Sequence, residues 1–391
     1  MIGQYRELFS KIHHQRARGP IGLLSNQVAF DWTERKYLFQ LLQSLTTELT
    51  VFVPEHGLFS ELQDQKVIDN TSKYDYLGTG IDFQSVYGSP EHRLGILPQQ
   101  LSELNTLIID IQDVGVRYYT YLTTVLSVIH TIADLDANLN IIVVDHPNLA
   151  GRQVEGTMLE SEYSSFIGWP GIPNRYGLTL GELCLYSKSI YGGGFTLEVI
   201  PYDHPDSFKI NPSPNIPSVQ TCAIFSGQCL IEGTNMSEGR GTTRPFEIFG
   251  APFLKDLPQE WAAMFNQTHP EAVLRHLQFV PTFHKHSDAL CYGFQLHPLS
   301  ERLHSLRYSL SILRSLKQHS ADLQWLTGPY EAWSDRPAIE LLAGDPDVLN
   351  FLNGEGEEKL LIEKMKLHEQ EWINKTKPFL IYIEPLFSIL E

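Results

Sequence analysis

The chain has 391 residues, of which 42% are hydrophobic, and its formal net charge at pH 7 is -17. A chain of this length usually exceeds one hydrophobic core, so we expect two domains. The negative charge repels nucleic acid and anionic membrane surfaces, and no segment approaches the roughly 20 apolar residues that span a bilayer. We therefore expect neither nucleic acid nor a membrane as a partner.

The start of the chain and its cysteines indicate the cellular compartment. Basic and polar residues interrupt the segment from Met1 to Arg18, which lacks the apolar centre of a signal peptide. The chain has four cysteines, which form no CxxC pair and no disulfide framework. We expect a reduced, cytoplasmic protein.

Short apolar segments alternate with amphipathic segments over the first half of the chain, which is typical of parallel strands joined by helices. Strands are predicted at Ile21–Ser25, Thr50–Val53, Thr106–Ile111 and Asn140–Val144. Helices are predicted at Arg35–Leu45, Tyr118–Ala133 and Leu180–Ser189. This pattern predicts an α/β fold with an open parallel sheet.

A segment rich in Gly and Pro, from Tyr191 to Ser218, interrupts the alternation and indicates a domain junction. Beyond it the pattern changes to mixed strands and longer helices. It includes a predicted helix at Glu355–Ile373 and a predicted strand at Phe379–Ile383. We predict a catalytic domain of residues 1–210 and a smaller α+β auxiliary domain of residues 211–391.

Each of the four predicted strands ends in polar residues. They are Asn26–Gln27, Glu55–His56, Asp110 with Gln112–Asp113, and Asp145–Asn148. Ligands of open α/β sheets bind beyond the carboxyl ends of the strands, so these residues should converge on one crevice. Glu55 lies beside Gly57, whose flexible backbone can present the carboxyl group there. Apolar neighbours would favour the protonated form that a general acid requires, although Glu55 could instead cap a helix or pair with a surface lysine.

The segment after the third predicted strand offers a second carboxylate. Strand alternation places Asp110 and Gln112 on one face, and Asp113 then lies in the turn. Asp113 is a candidate catalytic group, with N-capping of the next helix as the alternative. Arg117 and Tyr118 follow at the start of that helix.

The segment from Glu232 to Pro245 (EGTNMSEGRGTTRP) is rich in acids, arginines, hydroxyls and glycines, and it offers almost nothing apolar to bury. This density of directional hydrogen-bonding groups favours ligand contact over a solvated loop. Its glycines do not match a GxxxxGK[ST] phosphate loop because no Lys follows them, so nucleotide binding has weak support. We expect this loop to reach the cleft.

Two further segments carry candidate ligands. Residues before proline favour extended geometry, so Asn211–Pro217 is predicted to form a rigid extended segment, the Pro-rich strap. The strap could hold Asn215 toward the cleft, or it could have a purely structural role. His284 and His286 would share one face of a strand, but two histidines without a clear third ligand are weak evidence for a metal. We predict no metal and no cofactor.

Three longer segments together resemble the exo-β-N-acetylmuramidase family. They are Pro54–Gly57 (PEHG), Asp110–Tyr121 (DIQDVGVRYYTY) and Glu232–Pro252 (EGTNMSEGRGTTRPFEIFGAP). Shorter matching segments are Asp145–Asn148 (DHPN), Val154–Gly156 (VEG), Pro212–Pro217 (PSPNIP) and Lys285–His286. The resemblance extends from about Gly22 to the last predicted strand.

The resemblance implies a glycoside hydrolase that releases N-acetylmuramic acid from the non-reducing end of peptidoglycan fragments, either muropeptides or disaccharides. It implies a Rossmann-like first domain and a smaller auxiliary domain. It also implies that Glu55, the acid of the PEHG segment, is the leading catalytic candidate. Members often carry a secretion signal, so the start of this chain favours processing of imported or recycled muropeptides.

Glycoside hydrolysis ordinarily uses an acid that protonates the leaving oxygen and a second group at the oxocarbenium-like centre. We assign the acid to Glu55. The candidates for the second group are Asp113, Glu232, Glu238 and the 2-acetamido oxygen of the substrate. The lactyl carboxylate of N-acetylmuramic acid requires a cation, and arginine pairs with carboxylates through two hydrogen bonds. The candidates for that cation are Arg117, Arg240 and Arg244. The wider set of predicted substrate contacts is His56, Asp110, Arg117, Tyr118, Asn148, Asn215, Asn235, Arg240, Thr242 and Arg244.

Two other functions compete with this prediction. The hydroxyl-rich segment Thr234–Thr243 would suit a peptidoglycan amidase or esterase, but the chain has no GxSxG elbow. A non-catalytic muropeptide-binding protein could use the same cleft. Several acids near that cleft argue against a pure binder, because extra carboxylates repel an anionic sugar.

Overall fold

The computed structural model describes residues 3–14, 19–46, 48–63, 71–87, 95–203, 210–258, 260–331 and 334–390. Over these residues the first half of the chain forms a six-stranded parallel sheet, and the second half carries smaller antiparallel sheets. The predicted α/β class, with a smaller α+β second part, is confirmed.

The first half contains eight strands and five helices among its described residues. The strands are β1 (Ile21–Ser25), β2 (Phe30–Asp31), β3 (Lys36–Tyr37), β4 (Leu49–Val53), β5 (Asp82–Ser85), β6 (Thr106–Asp110), β7 (Asn140–Val144) and β8 (Thr196–Ile200). The helices are α1 (Gly3–His14), α2 (Leu38–Leu42), α3 (Pro98–Ser102), α4 (Thr120–Asp134) and α5 (Leu180–Tyr191). Two 3-10 segments occupy Thr71–Leu77 and Ser161–Tyr163.

The parallel sheet has the strand order β5-β4-β1-β6-β7-β8. Counting only these strands along the chain, the order is 3-2-1-4-5-6, which is the doubly wound Rossmann arrangement. Strand order reverses between β1 and β6, and such folds bind ligands beyond the carboxyl ends of strands near that point. The sheet therefore directs the segments after β1, β4 and β6 toward one region.

Alternation along the strands divides the buried side chains between the two faces of the sheet. On β6, Leu107 and Ile109 belong to the core beneath α4, whereas Ile108 belongs to the core that includes Leu8 of α1. Both faces are covered, so the strands are almost continuously apolar. For this reason the central strands can be recognised in the sequence as short, continuous apolar segments.

The predicted elements of the first half are largely present. The four predicted strands correspond to β1, β4, β6 and β7, and two of the predicted helices correspond to α4 and α5. The helix predicted at Arg35–Leu45 is shorter, because Lys36–Tyr37 pairs with Phe30–Asp31 before α2 begins. The strands β5 and β8 lie at the sheet edges, where fewer apolar residues mark them.

The second half combines helices with short antiparallel strands. Its strands are β9 (Ile248–Ala251), β10 (Ala272–Phe279), β11 (Cys291–Pro298), β12 (Pro329–Glu331) and β13 (Ser334–Pro337). Its helices are α6 (Val219–Gln228), α7 (Trp261–Thr268), α8 (Ser305–His319), α9 (Ala338–Ala343), α10 (Pro346–Leu352) and α11 (Glu358–Thr376). Its 3-10 turns are Cys229–Gly233, Pro252–Asp256 and Lys377–Phe379.

The strand predicted at Phe379–Ile383 is wrong. Residues 377–379 form a 3-10 turn, and the following residues belong to no strand. The backbone N–H of Ile381 donates to the Glu182 carboxylate at 2.9 Å, and the Tyr382 hydroxyl donates to Asp145 at 2.8 Å. This segment therefore hydrogen-bonds to acidic side chains of the first half and not to a neighbouring strand.

The two halves share one hydrophobic core. The cluster beneath α4 continues into apolar residues of α6, α8 and α11. The buried Glu155 pairs with Arg175 at 2.7 Å and accepts the backbone N–H of Leu306 at 3.1 Å. The predicted boundary at 210/211 stays a prediction, since no gap in the core marks it. Among the described residues, no helix is both long and apolar enough to cross a bilayer.

Candidate active site

Glu55 lies two residues beyond β4, at the carboxyl edge of the parallel sheet. His56 and Gly57 both have positive φ angles, 70° and 89°, so the chain turns sharply after the acid. His56 Nδ1 lies 3.1 Å from the carbonyl oxygen of Leu62, which fixes this turn. The turn leaves the side chain of Glu55 only 5% exposed, at the wall of an internal cavity.

Thr120, the first residue of α4, donates its hydroxyl to the Glu55 carboxylate. The amino end of a helix also carries a partial positive charge, which interacts favourably with a carboxylate. The Tyr121 hydroxyl donates to the backbone carbonyl of Glu55 at 3.3 Å and to that of Pro212 at 3.1 Å. The loop after β4, the start of α4 and the Pro-rich strap are thereby held together.

The inner cavity has a volume of about 60 Å³ and lies between the two halves of the chain. Its wall consists of Glu55, His56, Tyr118, Tyr119, Thr120, Phe166, Ile167, Phe225, Cys229, Glu232, Arg240, Tyr330 and Leu342. A volume of this size holds roughly one or two water molecules. Glu55 from the first half and Glu232 from the second half therefore face the same small space.

Glu232 lies in the 3-10 turn Cys229–Gly233 and is held through both carboxylate oxygens. Arg240 donates a guanidinium N–H to Oε1, and the Tyr330 hydroxyl donates to Oε2. The Tyr330 ring stacks on Phe166, with ring centroids 6.0 Å apart. Both donors come from other segments of the second half, so Glu232 has a fixed orientation at the cavity wall.

An outer cavity of about 490 Å³ adjoins the inner one, and both are lined by Glu232, Arg240 and Tyr330. The outer cavity is also lined by His284, Lys285, Leu326, Thr327, Gly328, Pro329 and Ala338. Small-molecule sites commonly measure about 300–1,000 Å³, so the outer cavity has the size for a sugar. Three basic side chains lie in its wall, which suits an anionic ligand.

Glu238 lies behind this wall and is fully buried. Lys285 Nζ lies 2.9 Å from Oε2, while His284 Nδ1 and Arg240 Nε lie 3.0 Å and 3.4 Å from Oε1. Burial raises the pKa of Glu238, but Lys285, His284 and Arg240 together outweigh burial and hold the pKa well below its usual range. Glu238 therefore anchors the basic side chains of the outer cavity and does not line either cavity itself.

Asp113, the third candidate for the second catalytic group, faces neither of these cavities. Its Oδ2 accepts the backbone N–H of Gly115 at 2.7 Å and the hydroxyl of Tyr176. Burial raises the pKa of Asp113 to about 6, although these donors partly offset that rise. The carboxylate stabilises the turn before Gly115. The N-cap of α4 is Tyr119, so Asp113 does not cap that helix.

Asp110 and Asn148 also bond within the protein at the sheet edge. Asp110 pairs with Tyr5 and His146, at 2.7 Å in each case. Asn148 donates to the carbonyl of Leu178 and accepts the backbone N–H of Ala150. Neither residue lines the inner or the outer cavity.

The three arginines considered for the lactyl group lie in different places. Arg117 is fully buried and donates to the carbonyl oxygens of Thr157, Ile172, Leu342 and Ala343, so it joins the two halves. Arg244 is exposed on the surface outside both cavities. Arg240 lies in the wall of both.

Of the other predicted contacts, His56 and Tyr118 line the inner cavity. Three others make hydrogen bonds within the protein instead. Asn215 bonds to Gln63, and Asn235 bonds to Gln324 and Asp322. Thr242 bonds to Gly239. His284 and His286 lie in a turn with positive φ angles and not on a strand. His286 contacts the carbonyl of Asn235, whereas His284 contacts Glu238. In the described ranges, no group of three or more His, Cys, Asp or Glu side chains could hold a metal.

Sequence reasoning missed Thr120, Tyr330 and the amine of Lys285 as parts of the site. Lys285 was noted only within a matching segment, and its Nζ contacts the carbonyl oxygens of Ile231, Glu232 and Thr234. Tyr330 stands in an exposed segment with no apolar periodicity. Only the folded chain places it beside Glu232.

Comparison with known proteins shows the family to which this chain is similar. A profile described as "Exo-beta-N-acetylmuramidase NamZ, N-terminal" matches residues 21–220, and one described as "Exo-beta-N-acetylmuramidase NamZ, C-terminal" matches residues 223–382. The peptidoglycan beta-N-acetylmuramidase NamZ of Bacillus subtilis (strain 168) is 31% identical over 377 residues, covering 93% of this chain and 86% of the relative.

Two solved structures of DUF1343 family proteins from Bacteroides fragilis NCTC 9343 have the same fold. One aligns with a TM-score of 0.79 at 20% identity, covering 97% of this chain and 98% of that protein. The other aligns with a TM-score of 0.69 at 26% identity, covering 95% of this chain and 97% of that protein.

Proposed function

The chain belongs to the exo-β-N-acetylmuramidase family, and from this premise we propose that Glu55 and Glu232 cleave the β-glycosidic bond of a terminal N-acetylmuramic acid. The protein is a glycoside hydrolase that acts in peptidoglycan metabolism. Its substrates are peptidoglycan-derived muropeptides or disaccharides, from which it releases the non-reducing sugar. One observation carries the residue assignment: Glu55 and Glu232 line the same cavity between the two halves.

The general acid is Glu55. Its carboxyl group is almost fully shielded from water and borders the inner cavity. Protonation of the leaving oxygen requires an acidic group that borders the bond to be cleaved. The hydroxyl of Thr120, at the amino end of α4, donates to this carboxyl group and holds it in place.

Glu232 is the second group. Among the three acids considered, it alone borders the space that Glu55 borders, since Asp113 and Glu238 lie outside both cavities. The sugar ring occupies the outer cavity, with the bond to be cleaved at the junction marked by Glu232. Arg240, in the same wall, pairs with the lactyl carboxylate through its guanidinium group.

A disaccharide with N-acetylmuramic acid at its non-reducing end tests this assignment, because its sugar leaving group has to be protonated. We expect Glu55→Gln and Glu232→Gln each to lower kcat by about 10²- to 10⁴-fold, the usual contribution of a catalytic acid or base. Thermal unfolding of each variant serves as the control for folding. Turnover at the wild-type rate by a folded Glu55→Gln variant would exclude Glu55 as the acid.

The products of a natural muropeptide provide an independent check. Mass spectrometry should detect free N-acetylmuramic acid and a shortened fragment, because a glycosidic bond is hydrolysed. Release of a stem peptide with both sugars still joined would instead identify an amidase. Proton NMR of the first product anomer distinguishes retention from inversion.

A further inference from the structure

Tyr330 lies in the wall of both the inner and the outer cavity. It belongs to β12, which pairs with β13 in a small antiparallel sheet. The segment before it is fixed at its base: the Leu326 N–H donates to the carbonyl of Gly233 at 2.9 Å, and Trp325 donates to Asn353 at 2.8 Å. The position of Tyr330 is thus tied to the turn that carries Glu232.

The contacts of Tyr330 restrict the rotation of Glu232. The Tyr330 hydroxyl donates to Oε2, while Arg240 donates to Oε1. The Tyr330 ring also stacks on Phe166, which restricts its own movement. A carboxylate held through both oxygens has one orientation, which is what a group that must approach a reacting carbon needs.

The hydroxyl of Tyr330 retains its proton over the working pH range. Burial, together with the nearby Glu232, raises the pKa of Tyr330 well above its usual value. The phenol therefore stays a hydrogen-bond donor, and a donor to a carboxylate forms a stronger bond than a donor to a neutral acceptor.

We propose that Tyr330 is a positioning residue, which orients Glu232 for hydrolysis through its hydroxyl and does not react with the substrate. This inference rests on the proposed role of Glu232. It assigns a function to the β12 segment, which contributes no acid or base to the reaction. The chemistry stays with Glu55 and Glu232, and Tyr330 determines how often Glu232 has the productive orientation.

Tyr330→Phe removes the hydroxyl and keeps the ring. We expect kcat to fall about tenfold, with KM within about twofold of wild type, because one hydrogen bond to a charged group is lost while the cavity keeps its shape. The matched control is Tyr382→Phe, which removes a tyrosine hydroxyl bonded to the buried carboxylate of Asp145, outside both cavities. Its kcat should equal that of wild type.

A double-mutant cycle shows whether Tyr330 acts through Glu232. In the Glu232→Gln background, Tyr330→Phe should change kcat by less than about twofold, since no carboxylate remains to be oriented. An equal tenfold fall in both backgrounds would overturn the proposal, as would a wild-type kcat in the single Tyr330→Phe variant. Full activity of the single Glu232→Gln variant would instead show that Glu232 has no catalytic role. That result is distinct from the two that would overturn the role of Tyr330 alone.

Discussion

Glu55 after β4 and the three acids at or after the ends of β6 and β7 lie at the same edge of the parallel sheet, but they have different surroundings. Asp110, Asp113 and Asp145 are each bonded to two or more protein donors, including the hydroxyls of Tyr5, Tyr176 and Tyr382 respectively. Glu55 accepts the hydroxyl of Thr120 and faces a cavity that Glu232 shares. Of these four acids, Glu55 is the one that borders the cavity shared with Glu232.

The largest effect should separate Glu55 from Asp113. Glu55→Gln should lower kcat by about 10²- to 10⁴-fold with little change in stability, since the amide keeps the shape of the side chain. Asp113→Asn should lower kcat by less than tenfold, because Asp113 borders neither cavity. Steady-state kinetics and thermal unfolding of both variants would check this difference. Equal loss of kcat in both variants would show that the distinction between the two acids is wrong.

Glu238 and Asp113 should affect stability with opposite dependence on pH. Removing one partner of a buried ion pair costs about 3–5 kcal/mol, so Glu238→Gln should destabilise the fold strongly near neutral pH. The folded-state pKa of Glu238 is depressed, so its contribution is present above the ordinary value of 4.5 and is lost as pH falls. The difference in the free energy of unfolding between wild type and Glu238→Gln should therefore become smaller as pH falls.

The pKa of Asp113 shifts the other way. Burial raises it from 3.8 to about 6, so the native state binds the proton more tightly than the unfolded chain. The contribution to stability is complete below about pH 4 and is lost as pH rises through about 6, by up to about 3 kcal/mol. Relative to Asp113→Asn, the wild type should lose stability over this interval. Urea unfolding between pH 4 and pH 8 would measure both trends, and parallel profiles for the two variants would contradict them.

The smallest effect should distinguish Arg240 from Arg244. Arg240→Ala should lower the preference for a β-N-acetylmuramide over a β-N-acetylglucosaminide about tenfold, because the lactyl carboxylate loses its cation. Arg244→Ala should change this preference by less than about twofold, since Arg244 is exposed outside both cavities. The ratio of kcat/KM for the two sugars is the measurement. A larger loss in Arg244→Ala would place the lactyl group on the other side of the loop.

The local pattern of the sequence was sufficient to predict β1, β4, β6 and β7, because strands buried on both faces are nearly continuous apolar segments. The same pattern predicted that Glu55 follows a strand, and the family resemblance of the PEHG segment made it the leading catalytic candidate. The segment from Glu232 to Pro245 was also expected at the cleft, where Glu232 and Arg240 are found. These features depend on residues close together in the chain.

The tertiary structure alone decided which polar groups share a cavity. Thr120 reaches Glu55 across 65 positions, and Tyr330 reaches Glu232 across 98. It also decided that Arg117 donates to backbone carbonyl oxygens. Residues 379–383, predicted as a strand, instead hydrogen-bond to Glu182 and Asp145. Hydrophobic periodicity records which face of an element is buried, but the partner of a buried polar group is set by packing between distant segments. For this reason Glu55 could be located from the sequence, whereas the residues that hold Glu232 could not.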